Sequence, residues 1–217
     1  MKCLKFTSSL ATLSVLLLIL ILTSGCSTTP KIPTAPKATP AEQRIADWQQ
    51  LIHTKKTAVT FEKLTSVNNF FNKLVFVDDI DHWGEQDYWA TPLETLQTNG
   101  GDCEDFTIAK FFTLKEMDVP EQAMRLMYVK SLTLNQPHMV LTYHQGYEMD
   151  PMVLDNLVNA IVPASQRQDL IPVYSFNIEG LWVVKQRSKG IYAGNGDKNG
   201  LWRAFLKRMG IEGGNTR

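Results

Sequence analysis

The segment Cys103–Met117, CEDFTIAKFFTLKEM, constrains this chain most. After an acidic first turn, Phe106, Ile108, Ala109, Phe111, Phe112, Leu114 and Met117 put apolar side chains on nearly every face of a helix. A helix that is apolar almost all round has to be covered by other elements. The remaining chain must therefore wrap around this segment, and the expected helix ends near Asp118, before VPEQ.

The start of that helix carries chemistry. Gly100–Gly101 permit a tight turn with positive φ. Asp102 suits the N-cap, which sets Cys103 at the first helical position. Unsatisfied N–H groups and the positive end of the helix dipole then face the sulfur. Such a position lowers a thiol pKa, and the same N–H groups could hold a tetrahedral oxyanion. The neighbours act the other way. Asp102, Glu104 and Asp105 surround the thiol with negative charge, which disfavours the thiolate. Either Cys103 is an inert packing residue, or something offsets the acids.

Upstream, AEQRIADWQQLIHTK carries a helical stripe at Ile45, Trp48, Leu51 and Ile52. A second stripe in TFEKLTSVNNFFNKL starts after Thr60, an expected N-cap. DDIDHWGEQDYWATP reads as an aromatic-rich loop, and TPLETLQT as a short helix capped by Thr91 with Pro92 in its first turn. Downstream the period shifts toward two: AMRLMYVKS, HMVLTYHQ, MVLDNL, VYSFNI and LWVVKQ read as strands. Helices first and strands later argue for an α+β fold with an antiparallel sheet. YAGNGDKNGLWRAFLKRMG reads as a glycine-rich loop and a final amphipathic helix. GNGDKNG lacks the acidic pattern of a calcium-binding loop.

The N-terminus belongs to targeting. Lys2 and Lys5 precede an almost continuously apolar run, Leu10–Leu22, and then TSGC ending at Cys26. The run is shorter than the about 20 residues of a membrane span and fits a signal-peptide core. Residues 1–26 are therefore expected to be a leader that directs export. Cys26 resembles a lipidation site, with Thr23 where such sites usually carry leucine; tethering through Cys26 or an uncleaved leader, and ordinary cleavage nearby, all remain open. STTPKIPTAPKATP reads as an extended proline-rich linker over residues 27–40. The folded domain is expected over residues 41–217. Of three cysteines, Cys103 alone lies in it. An exported protein with one unpaired core cysteine favours a functional thiol over half a disulfide. Net charge is zero, from 22 basic and 22 acidic residues, and no basic stripe points to nucleic acid.

A thiolate nucleophile needs a base, and the base an orienting group. Among four histidines (His53, His82, His138, His144), His138 opens a strand directly after Pro137. His144 shares its face but lies about 20 Å further along. Asp155, in VLDNL, is a carboxylate in an apolar strand and needs a partner, which a histidine on the next strand would supply. Asp150 and Asn156 are its rivals.

Gly101-Asp102-Cys103-Glu104-Asp105, the apolar helix, HMVL and VLDNL occur together in an order that resembles the bacterial transglutaminase-like cysteine proteinases of the LapG type. DYWATPLETLQTNGGDCEDFTIAKFF resembles that family over its whole length, and the resemblance runs from Phe61 to Lys185. It implies a papain/transglutaminase-like α+β fold, with cysteine on the central helix and His and Asp on an antiparallel sheet. It implies that Cys103 is the nucleophile, His138 the base and Asp155 the orienting group. It also implies a calcium-dependent periplasmic protease that cuts a large repeat adhesin near its N-terminal retention module, commonly beside a di-alanine, and so releases biofilm cells. An inner-membrane cyclic-di-GMP receptor would hold it inactive. Calcium beside the nucleophile would answer the question the acids raise: Asp102 and Glu104 match the family's acidic positions, Asp105 is a third candidate, and other oxygens come from elsewhere. Trp83 and Trp89 either offer an indole N–H to an oxyanion, shape the cleft, or pack in the loop. Two other readings fit the same residues: acyl transfer to an amine, and a binding module with a dead site.

Overall fold

A computed structural model describes residues 38–146, 149–186, 189–194 and 200–211. The leader at 1–26, most of the linker and residues 195–199 of the glycine-rich stretch lie outside the described residues. Among the described residues, no helix is long and apolar enough to cross a membrane.

Helices come first. α1 (Pro40–Lys55) starts earlier than expected, because Thr39 and Glu42 form a reciprocal capping box and Pro40 fills the first turn. Thr39 and Pro40 therefore belong to the helix and not to the linker. α2 (Thr60–Phe71) is capped by Val59 instead of Thr60: Val59 has the extended backbone and its carbonyl accepts from the Glu62 and Lys63 amides. After β1 (Val75–Phe76), a one-turn helix α3 (Asp79–His82) forms inside the segment expected as loop. α4 (Pro92–Thr98) has the expected Thr91 cap, completed by Glu94.

The two glycines do something other than expected. Positive φ falls on Asn99 (φ 66), which ends α4, and not on Gly100 or Gly101. The glycines form β2 (Gly100–Gly101), paired in parallel with β1. Close approach is what requires them. A Cβ at Gly100 would come within 2.6 Å of the Val75 carbonyl oxygen, and one at Gly101 would land on the Asp105 carboxylate.

α5 (Cys103–Glu116) is the central helix. Asp102 is its N-cap and accepts from the Glu104 amide at 3.1 Å. Phe106, Ile108, Phe111 and Leu114 are buried together with Phe71, Leu96, Leu141 and Phe176. Each such side chain contributes about 1.5–3 kcal/mol on leaving water.

The helix packs on an antiparallel sheet made of β3 (Met124–Ser131), β4 (Gln136–Tyr143), β5 (Met152–Leu154), β6 (Val162–Pro163), β7 (Leu170–Phe176), β8 (Leu181–Gln186) and β9 (Lys189–Gly194). Their spatial order is β6-β5-β4-β3-β7-β8-β9. β9 includes Tyr192–Gly194, expected as loop, and Asp155 lies one residue past β5. Met139, Leu141 and Leu154 face α5, while Met127, Val129, Val140, Val153 and Leu170 make a smaller cluster on the second face. α6 (Gly200–Arg208) packs on the core by burying Trp202, Phe205 and Leu206.

Candidate active site

Cys103 stands where the cap placed it, at the first position of α5, half-buried and unpaired. Its thiol donates to Glu104 Oε2 at 2.7 Å. Burial first, then the Glu104 and Asp102 charges and the Glu104 hydrogen bond, push this thiol up; the Met139 backbone N–H works the other way. Met139 follows His138, and Thr107 Oγ1 donates to the Met139 carbonyl at 3.1 Å. The first turns of α5 are thus fastened to the start of β4.

There, His138 Nε2 meets Asp155 Oδ1 at 2.8 Å, with both side chains buried. Leu157 N donates to the same oxygen at 3.0 Å, and Arg167 Nη2 reaches Asp155 Oδ2 at 2.8 Å. Burial alone would raise the Asp155 pKa. The His138 hydrogen bond and charge, the Leu157 amide and Arg167 outweigh it and hold the carboxyl down at about 2. An ionised carboxylate only accepts, so His138 Nε2 carries the hydrogen and Nδ1 is the nitrogen able to take a proton. Of the rivals, Asp150 accepts from the Ser165 amide instead. His144 binds Thr142 Oγ1 at 3.2 Å, and burial followed by the Arg125 charge pushes it down to about 4.

The acids beside the cysteine divide into two uses. Glu104 turns to the sulfur and lies close to Asp102. Asp102 and Asp105 converge with Asp79, and oxygens of the three lie within 4.8 Å of one another. Asp79 accepts from Tyr88 N at 2.5 Å, and Asp105 from Ala90 N at 2.6 Å. Their second oxygens, Asp79 Oδ1 and Asp105 Oδ2, are buried without a hydrogen-bond partner. Burial first, then mutual repulsion, pushes Asp102 up to about 10; burial, offset in part by the Ala90 amide, pushes Asp105 up to about 8. Asp79 also moves up, chiefly through burial. Clustered buried carboxylates with orphaned oxygens fit a hard cation such as calcium, which takes oxygen ligands.

The sequence reading missed Asp79 and Arg167. The acid-rich DDID was a signal for the first, but nothing local tied it to Asp102; Arg167 sits in a polar stretch with no periodic pattern.

The loop holding Tyr88 and Ala90 is braced from α6. Arg208 donates to the Trp89 carbonyl and lies over the Tyr88 ring, 4.5 Å from its centroid. Trp89 is buried and stacks on Phe176 at 5.7 Å. Trp83 packs against Tyr88. An open groove of about 630 Å³ runs beside the cysteine helix, lined by Asp87, Trp89, Glu104, Tyr128, Tyr174 and Leu181 among others. The stacked Tyr128–Tyr174 pair, 4.9 Å apart, is part of its floor.

Comparison with known proteins gives the family and the fold. The family model for bacterial transglutaminase-like cysteine proteinases (Peptidase_C93) matches residues 38–184. Legionella pneumophila LapG is similar at 42% identity and TM-score 0.72, over 80% of this chain and 91% of that one. Its calcium-bound structure is similar at 42% identity and TM-score 0.71, over 80% and 93% of the two chains. Its EGTA-treated structure gives 43% identity and TM-score 0.72 over 80% and 91%. No curated protein matches the chain.

Proposed function

This chain belongs to the bacterial transglutaminase-like cysteine proteinases, and from that premise we propose that it is a calcium-dependent periplasmic endopeptidase acting on a large repeat adhesin. The observation that carries this reading is the buried His138–Asp155 pair at β4, the strand that Thr107 fastens to the helix of Cys103 through the Met139 carbonyl. In this reading Cys103 attacks the scissile carbonyl through Sγ and forms a thioester. His138 takes the thiol proton at Nδ1 and passes it to the leaving amine. Water then hydrolyses the thioester with the same imidazole as base. Asp155 holds the Nε2–H and with it the ring's orientation. The open groove suits an extended segment of a macromolecular substrate.

Asp79, Asp102 and Asp105 would hold the calcium, with Glu104 at its edge. Bound there, the ion supplies positive charge that compensates the acids around the thiol. The metal of the Legionella protein supports the choice of cation. Residues 1–26 direct export, and tethering through Cys26 or an uncleaved leader would limit which adhesins the enzyme reaches. An inner-membrane cyclic-di-GMP receptor is the proposed inhibitor. Adhesin cleavage then releases biofilm cells.

The test mixes the purified protein with the N-terminal region of the host's largest repeat adhesin. The arms are calcium, calcium chelator and Cys103→Ala. A single cut with calcium, lost in both other arms, is expected. A cut that survives chelation would remove calcium from the reading. No cut by a protein whose Cys103 still incorporates an amine into a glutamine substrate would replace hydrolysis with acyl transfer.

A further inference from the structure

We propose that Arg167 is a positioning residue: its guanidinium, clasped by Asp169, fixes the plane of the Asp155 carboxylate and through it the orientation of the His138 ring. This role rests on the peptidase reading for its effect on turnover, but not for its effect on the ring.

A carboxylate turns about its Cβ–Cγ bond unless both oxygens are held. Here Oδ1 takes His138 Nε2 and Leu157 N, and Oδ2 takes Arg167 Nη2 at 2.8 Å. The guanidinium is itself fixed. Its Nε and Nη2 reach the two oxygens of Asp169 at 2.9 and 2.7 Å, a two-point clasp that sets the plane of a rigid fork. Arg167 is 6% exposed, so this is not a surface ion pair. It follows the turn Ala164–Gln166 and lines a small cavity on the sheet's second face with Met127, Val129, Val140 and Val153. Such a wall excludes water that would compete for the carboxylate.

The other charges facing Asp155 do not duplicate this. His138 is the group being oriented. Lys110 of α5 interacts with Asp155 through its charge, and its buried ammonium is pushed down to about 7 by burial. Only the guanidinium is directional. A buried aspartate that carries an arginine behaves as an aimed hydrogen-bond acceptor whose charge is already compensated.

The experiment uses the purified calcium-loaded protein labelled with 15N-histidine. Ring NMR and steady-state kinetics are compared for wild type, Arg167→Met, Arg167→Lys, Asp169→Asn, Asp155→Asn and the Arg167→Met/Asp155→Asn pair. Arg167→Met is expected to lower kcat about 10–100-fold at unchanged KM and to lose the slowly exchanging His138 Nε2–H signal. Arg167→Lys keeps charge without the fork and recovers only part of kcat. In the Asp155→Asn background, Arg167→Met is expected to cost nothing further, because its effect passes through Asp155. Unchanged kcat and ring signal in Arg167→Met, or an equal loss in both backgrounds, would overturn the role. Should Arg167→Met not fold, Asp169→Asn decides: it must lower kcat and weaken the ring signal, and leaving both intact sinks the proposal. If wild type cuts nothing, the peptidase reading fails by itself, while the ring signal still decides the role of Arg167.

Discussion

Two sets of buried acid surround the chemistry of this molecule, and the chain treats them in opposite ways. Asp155 is given its own partners: the His138 Nε2–H on one oxygen, the Arg167 guanidinium on the other, and a carboxyl held at about 2. Asp79, Asp102 and Asp105 are given each other, three backbone amides and two orphaned oxygens, with Asp102 pushed up to about 10 and Asp105 to about 8. The first set is complete within the chain. The second is left with buried oxygens that no group among the described residues answers. A buried acid is therefore not informative alone; what answers it separates the orienting role proposed for Asp155 from the ligand role proposed for the other three.

The sharpest way to break this contrast is to remove one charge from each set. Asp155→Asn leaves the Arg167 guanidinium without its inner partner and is expected to lower stability by about 3–5 kcal/mol. Asp105→Asn is expected to do the reverse in chelator: an amide can be buried without the proton uptake that burial forces on this carboxyl, so the metal-free protein gains stability near neutral pH. Denaturant unfolding of both variants checks the signs, and a loss in both would end the distinction.

Calcium itself gives the next effect. A ligand at 100 times its Kd stabilises by about 2.7 kcal/mol, which for a domain of this size raises Tm by about 5–10 °C. Thermal unfolding with calcium and with chelator should show that rise in wild type and in Asp155→Asn, but not in Asp105→Asn. A full rise in Asp105→Asn would move the ion elsewhere.

The smallest effect lies at acid pH. The Asp155 carboxyl sits at about 2 in the fold against an ordinary 3.8. Between those values the unfolded chain takes up the proton first, so the stabilisation is complete above the ordinary value and is lost as pH falls through about 2. It amounts to about 2 kcal/mol. Unfolding followed from pH 5 to pH 2 should show this loss in wild type and not in Asp155→Asn.

What could be read from the sequence was local. Asp102 as cap, Thr91 as cap and the burial of α5 follow from residues within a turn or two of each other. His138 and Asp155 were legible as residues, but their places were not: β4 opens two residues earlier, at Gln136, and Asp155 lies just past β5. The division among the acids was not, because it depends on which way Glu104 turns and on Asp79, brought beside Asp102 by the β1–β2 pair and α3. Arg167 escaped for the same reason: its partner Asp155 lies across a turn and a short strand. The misplaced positive φ is instructive too. Asn99 could take it with its short polar side chain, which left both glycines for contacts that no side chain allows.

The family match ends at residue 184, yet Arg208 holds the Trp89 carbonyl in the loop whose amides serve Asp79 and Asp105. This has a consequence in time. A ribosome delivers Cys103, His138 and Asp155 well before it delivers α6, so for a time these three residues exist beside a loop that Arg208 does not yet hold. The brace arrives late for amides that are made early.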